Sequence, residues 1–307
     1  MIRALLQLSM IVAMIVAMLF VIGCKKSTTN SQKPLSAPDA RHSPQAAPIP
    51  NAAAQPKEIL LSDIFTREES LSYNGFNITT IAKSPKDNSL KLSYAVVKRS
   101  GKVLAKFDNP TDMPLNETSI GLFPLLGGKT KQLIISQTVP RGGRHWIIDL
   151  TTDPKILFDS GDYEVGREDV SAVDLDSDGV YEIALRVTIF YNAIDRLSIS
   201  GTPLPGAFFS YDKQSGKYLP ANHRYRSYLL KGVETEISNL PTVIGEPYLS
   251  RRLDVLLRFL YAGKEEEGWE FFDKAYTLPD AEKIKAKVKE VLRKAPAYKF
   301  IRKRSSI

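Results

Sequence analysis

Asp174, Asp176 and Asp178 stand two residues apart ahead of Gly179, and Glu182 follows, so the nine residues Asp174 to Glu182 carry four carboxylates. A hard divalent cation such as Ca2+ takes about six to eight oxygen ligands near ~2.4 Å, and carboxylates at alternate positions of a tightly curved loop converge on one ion. Such an ion neutralises side chains that would otherwise repel one another, which gives it a structural role. An EF-hand is excluded: its twelfth loop position requires a bidentate Glu, that position here is Leu185, and strand-like sequence follows. The alternative is an acidic hairpin turn without an ion, because Asp and Gly are ordinary turn residues.

Other groupings offer less chemistry. Gly127-Gly128-Lys129-Thr130 matches the end of a phosphate-binding loop, but the required first Gly is Phe123 and strands follow, so the stretch reads as a hairpin turn. Ser210 and Lys213 have the Ser-x-x-Lys spacing of acyl-transfer enzymes without companion motifs. The three histidines, His42, His145 and His223, have no ligand spacing among themselves, and no Gly-x-Ser-x-Gly elbow accompanies them.

The elements around the acidic stretch are strand-like. Asn74-Gly75 and Ser100-Gly101 are hairpin dipeptides between β-branched and aromatic runs at Phe76 to Ala82, Ser89 to Val97 and Lys102 to Phe107. A second group runs through Ser119 to Leu125, Lys131 to Thr138, His145 to Leu150 and Lys155 to Phe158. The third contains the Asp loop: Val170 to Val173, Val180 to Tyr191, Ala207 to Tyr211 and Lys217 to Leu219. Short strands at this spacing predict antiparallel sheets. Setting Gly128 on Gly179 superposes the second and third groups at about 50 residues, a blade-like period. Three such units are fewer than the roughly four or more of a closed propeller. Either Ile59 to Asn74 and Asn222 to Val243 add strands, or the sheets pack as an open sandwich.

Placed between two strands, Asp174, Asp176, Asp178 and Glu182 occupy the first, third, fifth and ninth positions of a loop that resembles the calcium loop of FG-GAP or VCBS repeats, the blades of integrin-type propellers. The resemblance implies a calcium ion held by these four side chains and the Val180 carbonyl. Glu182 stands where the family has Asp, the Phe-Gly and Gly-Ala-Pro signatures are missing, and the equivalent turn, Leu125 to Lys131, has no carboxylate.

Beyond Pro247 the apolar period becomes helical. Leu249, Leu253, Leu256, Leu257 and Leu260 form a stripe ended by Gly263. Trp269, Phe272 and Tyr276 make a second, and Ile284, Val288, Val291, Leu292 and Ala295 a third, ended by Pro296.

A composition of 43% hydrophobic and 25% charged residues is that of an ordinary globular protein. The charge is concentrated: Ala281 to Ile307 has ten Lys or Arg against two Glu, equal to the whole excess of +8. Lys283, Lys287, Arg293, Lys294, Arg302, Lys303 and Arg304 read either as a solvated helix face or as a surface for anionic lipid or lipopolysaccharide phosphates.

The single cysteine excludes an internal disulfide. Met1-Ile2-Arg3 and the apolar run Ala4 to Gly23, broken only by Gln7 and Ser9, read as a secretory signal or a membrane-spanning anchor. The run ends Val21-Ile22-Gly23-Cys24, which resembles the lipobox of bacterial lipoproteins. That resemblance implies lipid on the Cys24 thiol, cleavage after Gly23 and acylation of the new amino terminus. Lys25, where the family's inner-membrane retention signal has Asp, implies the outer membrane of a Gram-negative envelope. Two or more acyl chains anchor stably. Lys25 to Lys57 contains six prolines and no aromatic residue, the composition of an extended tether.

The chain therefore divides into a signal (1–23), a lipidated cysteine and tether (24–58), a mainly β region of antiparallel, propeller-like blades (59–243) and an α-helical subdomain with a basic tail (244–307). The expected role is a membrane-anchored, non-enzymatic binding or envelope-structural lipoprotein, with an unknown protein partner and no nucleic acid. Two rivals are a metal-dependent hydrolase of glycans or phosphoesters, using the Asp loop with Asp162, Glu164, Glu168 and Asp169 nearby, and a partner-binding helical module on a β scaffold.

Overall fold

Hairpin chemistry dictates the first turns. In the computed structural model, Asn74 and Gly75 have φ of 50° and 76°, and Ser100 and Gly101 have 49° and 79°. Two consecutive positive φ angles match the right-handed twist of the strands they join. The structure describes residues 56–83, 91–108, 115–139, 142–164 and 170–305. The expected signal, Cys24 and the tether up to residue 55 lie outside the described residues.

The strands are β1 (Glu58–Leu60), β2 (Ser70–Tyr73), β3 (Phe76–Ala82), β4 (Lys91–Arg99), β5 (Lys102–Phe107), β6 (Leu115–Phe123), β7 (Gln132–Val139), β8 (Gly142–Asp149), β9 (Lys155–Asp159), β10 (Ser171–Val173), β11 (Glu182–Arg186), β12 (Gly206–Asp212) and β13 (Lys217–Pro220). They form an eight-stranded and a five-stranded sheet, each open. Within the larger, β2 to β5 and β6 to β9 are two successive antiparallel meanders. A short parallel ladder joins them, with Lys91 opposite Leu115 and Leu92 opposite Asn116. The smaller sheet is a third meander, β10 to β13, with β1 added antiparallel to β10.

Period-two alternation explains the layering. On β7 and β8, Leu133, Ile135, Trp146 and Ile148 pack with Phe76, Ile78, Ala95 and Val97 of the first meander. The alternating residues Ile134 and Ile147 join the other core with Ile183, Leu185, Ala207 and Phe209 of the five-stranded sheet. The middle meander is thus buried on both faces.

The helices are α1 (Arg226–Leu229), α2 (Val233–Ser238), α3 (Glu246–Tyr261), α4 (Glu265–Ala275), α5 (Ala281–Lys294) and α6 (Pro296–Ser305). Of the two stretches considered for further strands, Ile59 to Asn74 falls on β1 and β2, whereas Asn222 to Val243 holds a 3-10 turn (Asn222–Arg224), α1 and α2. α5 ends before Pro296, with Ala295 extended, and a further helix starts at the proline itself. Proline suits a first helical turn, and α6 buries Ala297, Tyr298 and Ile301. The Leu stripe of α3, with Phe272, Ile284 and Val288, shares one core with the five-stranded sheet.

Asn222 fixes that contact. It is fully buried; its Oδ1 accepts from the Phe208 amide at 2.7 Å, and its Nδ2 donates to the Gly206 carbonyl at 3.1 Å and the Tyr261 carbonyl at 3.0 Å. One amide therefore satisfies backbone groups of β12 and of the end of α3. Asn222→Ala strands one buried and two part-buried backbone groups and is expected to lower unfolding free energy by about 3 kcal/mol. Urea denaturation measures this, and a loss under about 0.5 kcal/mol would contradict the assignment.

Candidate metal centre

The acidic stretch is the hairpin connection between β10 and β11. Buried Ala172 and Ile183 pull the two strands onto the core, and Ser177 (φ 61°) and Gly179 (φ 80°) turn the chain between them. Aspartates then bind the loop's own amides: Val180 N–H donates to Asp178 Oδ1 at 2.8 Å, and Gly179 N–H to Asp174 Oδ2 at 3.3 Å. This curvature brings one carboxylate oxygen from each of Asp174, Asp176 and Asp178 within 4.8 Å of the others.

Asp174 Oδ1 is buried and has no hydrogen-bond donor among the described residues, which leaves an acceptor suited to a cation. Asp176 is partly neutralised from outside the loop: its Oδ2 pairs with Arg224 Nη2 at 2.8 Å and accepts from Tyr225 Oη at 3.3 Å. Tyr228 Oη also donates to the Leu175 carbonyl at 3.3 Å. The three aspartates thus fit a hard cation, with Arg224 holding one of the Asp176 oxygens.

Glu182 stands beside this trio and outside it. Only 3% exposed, it accepts from the Leu175 amide at 3.0 Å and from Ser210 Oγ at 3.3 Å. Burial pushes its carboxyl above the ordinary glutamate range; the Leu175 amide and the Tyr225 and Ser210 hydroxyls oppose the shift, and Asp176 adds to it. The turn between β6 and β7 explains the position. There Gln132, also buried at the start of a strand, accepts from the Leu126 amide at 3.1 Å. A polar residue opening the second strand of each hairpin closes the turn from within.

The two turns also touch. Tyr181 N–H donates to the Leu125 carbonyl at 2.8 Å, and the Tyr181 and Phe123 rings meet edge to face at 5.2 Å. A Cβ on Gly127 would stand 2.9 Å from the Gly179 carbonyl oxygen, so glycine is required there.

Arg224, Tyr225 and Tyr228 carry no periodic signal in the sequence; only the fold brings them to the loop. Of the acids once grouped with it, Asp162 and Glu164 lie in and just after the 3-10 turn that follows β9, where Asp162 acts on Arg144. Glu168 and Asp169 lie outside the described residues. Ser210 is buried against Glu182 and Tyr225, and His145 is buried beside Ser136 Oγ at 2.9 Å.

The basic residues are on exposed faces of α5 (Lys283, Lys287, Arg293, Lys294) and α6 (Arg302, Lys303, Arg304). Lys287 and Lys294 both bind Glu290, at 3.0 and 2.7 Å, and hold its carboxyl down at about 2. Arg302 pairs with Glu265 at 3.2 Å, and Arg304 lies over the Phe300 ring. Lys283, Arg293 and Lys303 meet no carboxylate among the described residues. No helix among those residues is long and apolar enough to cross a membrane.

Glu182→Gln should imitate Gln132. Because the folded chain holds the Glu182 proton more tightly than the unfolded chain does, stability from this group is full below pH 4.5 and is lost as pH rises through the raised folded value. The Gln variant is therefore expected to melt no lower than the parent at pH 7, whereas Glu182→Ala loses about 2 kcal/mol. Calorimetric melting across pH 4 to 8 checks both; a Gln variant as damaged as the Ala variant would contradict the reading.

Comparison with protein-family models, curated proteins and solved structures finds no match to this chain.

Proposed function

We propose that the chain is a non-enzymatic lipoprotein of the bacterial envelope, anchored through acylated Cys24 in the outer membrane. Its propeller-like β region carries one structural Ca2+ and serves binding or envelope assembly. The observation that carries this reading is the double use of Asp176, whose carboxylate belongs to the Asp174–Asp178 trio and also to the contact with Arg224 and Tyr225. A cation at the trio, with the Val180 carbonyl as a further ligand, would tie the β10–β11 hairpin to the start of the helical segment. That is the work of a joint. A hydrolytic metal instead keeps an open position for water or substrate.

The three successive meanders support the propeller-like relation, and so does the contact between the β6–β7 and β10–β11 turns. The exposed cations of α5 and α6 support attraction to anionic lipid or lipopolysaccharide, at about 1 kcal/mol for each basic residue near such a surface. Lys283, Arg293 and Lys303 are the residues to which this applies most directly.

Calcium is tested on the full chain in detergent. Saturating Ca2+ is expected to raise the melting temperature by about 5 °C, chelation to reverse it, and Asp174→Asn to abolish it; no shift would leave an acidic turn held by Arg224 alone. For the anchor, a palmitate analogue fed to expressing cells is expected to label the wild-type chain and not Cys24→Ser. Equal labelling of both would refute acylation at Cys24.

A further inference from the structure

The five-stranded sheet has a second face. Ala172, Ile183, Leu185, Ala207 and Phe209 point into the core, so Ser171, Ala184, Arg186, Gly206 and Phe208 turn the other way. Register aligns these: Ser171 opposite Ala184, Ala184 opposite Phe208, and Arg186 opposite Gly206. Ser171, Ala184 and Gly206 therefore make low points on this floor, with Phe208 and Arg186 standing beside them. α1 covers only one end of it, where Leu229 Cδ2 lies 3.3 Å from the place a Gly206 Cβ would take.

Between this floor and α1 to α3 lies a cleft of about 720 Å³, and a second of about 560 Å³ opens beside it; both are lined by Arg186, Leu204 and Asp254. Asp254 is half-buried on α3 between buried Leu253 and Val255. No hydrogen-bond donor among the described residues reaches its carboxylate. Burial first, then Glu236, push the carboxyl above the ordinary range, while Arg258, Arg251 and Arg186 pull it back. Glu236 across the cleft is satisfied by Arg258 at 2.8 Å. A cavity-facing carboxylate without a donor is an acceptor left for a ligand.

The lining narrows the ligand class. β10, β11 and β12 are each paired on both sides, so the floor offers no backbone edge to an added peptide strand. Recognition falls to side chains. Among the described residues of the larger cleft, Glu58, Glu236 and Asp254 balance Arg186, Lys231 and Arg258, so these residues present no excess charge to select an ion. Phe208 and Tyr228, the latter 38% exposed, add aromatic surface. An apolar C–H face ringed by hydroxyl donors and acceptors complements aromatic rings beside planar acid and guanidinium groups.

We propose that this double cleft binds an uncharged oligosaccharide, with Asp254 and Arg251 taking hydroxyls and Tyr228 and Phe208 packing on the sugar face. The larger cleft borders the acidic loop at Leu175, whose carbonyl Tyr228 binds, and the test is made in EGTA so that failure of the calcium reading does not affect it.

The full chain in a detergent without a sugar head group is examined by saturation-transfer NMR and calorimetry, with an N-acetylglucosamine tetramer and cellotetraose as probes and a neutral tetrapeptide for comparison. At least one tetrasaccharide is expected to receive saturation. Its affinity should fall at least about tenfold in Asp254→Ala, Arg251→Ala and Tyr228→Ala. Arg251 is exposed and makes no hydrogen bond within the described residues, so its variant reports on binding even where Asp254→Ala fails to fold. Absence of signal from both saccharides, binding of the peptide alone, or unchanged affinity in Arg251→Ala and Tyr228→Ala would overturn the proposal.

Discussion

The repulsion among Asp174, Asp176 and Asp178 is the constraint on which the surrounding structure depends. Three carboxylates with oxygens within 4.8 Å persist only if positive charge or donors reach them. The loop's amides supply part of this, and Arg224 supplies a full charge to Asp176 at 2.8 Å. That guanidinium belongs to the 3-10 turn that opens the helical segment. Neutralising the loop therefore also fixes where the helices start, and Tyr225 and Tyr228 reinforce the attachment. Asn222, two residues before Arg224, ties the same turn to β12 and α3.

On its other side the loop rests on the middle meander. Tyr181 donates to the Leu125 carbonyl, and the next turn along is engaged in its own right, with the Lys131 amide donating to Tyr73 Oη at 2.8 Å. First hairpins of three consecutive meanders thus form one run of contacts: β2–β3 with β6–β7, and β6–β7 with β10–β11. Gln132 and Glu182 hold matching places in the last two. The hairpins share a plan, but among the described residues only the third carries the acidic trio, and its Asp176 pairs with the Arg224 guanidinium.

Much of this was legible in the residues. Asn74-Gly75 and Ser100-Gly101 specify turns through their tolerance of positive φ, and the Leu stripe from Leu249 to Leu260 specifies the face α3 buries. Short-range chemistry of that kind survives without knowledge of the fold. Asn222 to Val243 was ambiguous because α1 and α2 have four and six residues, too few to display a helical period. Glu182 belongs by spacing with the aspartates, yet at the start of β11 strand alternation turns its side chain toward Ser210 and Tyr225. Asp254 looks like the solvent side of an amphipathic helix, and only the sheet opposite makes it a cleft residue. Pro296 ends one helix in sequence terms but, with a fixed φ and no amide to lose, also starts α6.

The central claim is that one acidic loop joins the β10–β11 hairpin to the segment Asn222–Leu229, and that Ca2+ tightens the joint. Hydrogen exchange on the full chain with and without Ca2+ tests it most directly. The account predicts that amides of 174–182 and of 222–229 gain protection together on adding Ca2+ and lose it together in Asp176→Asn. Protection that changes in the loop while 222–229 stays as it was, or that changes in neither, would contradict it.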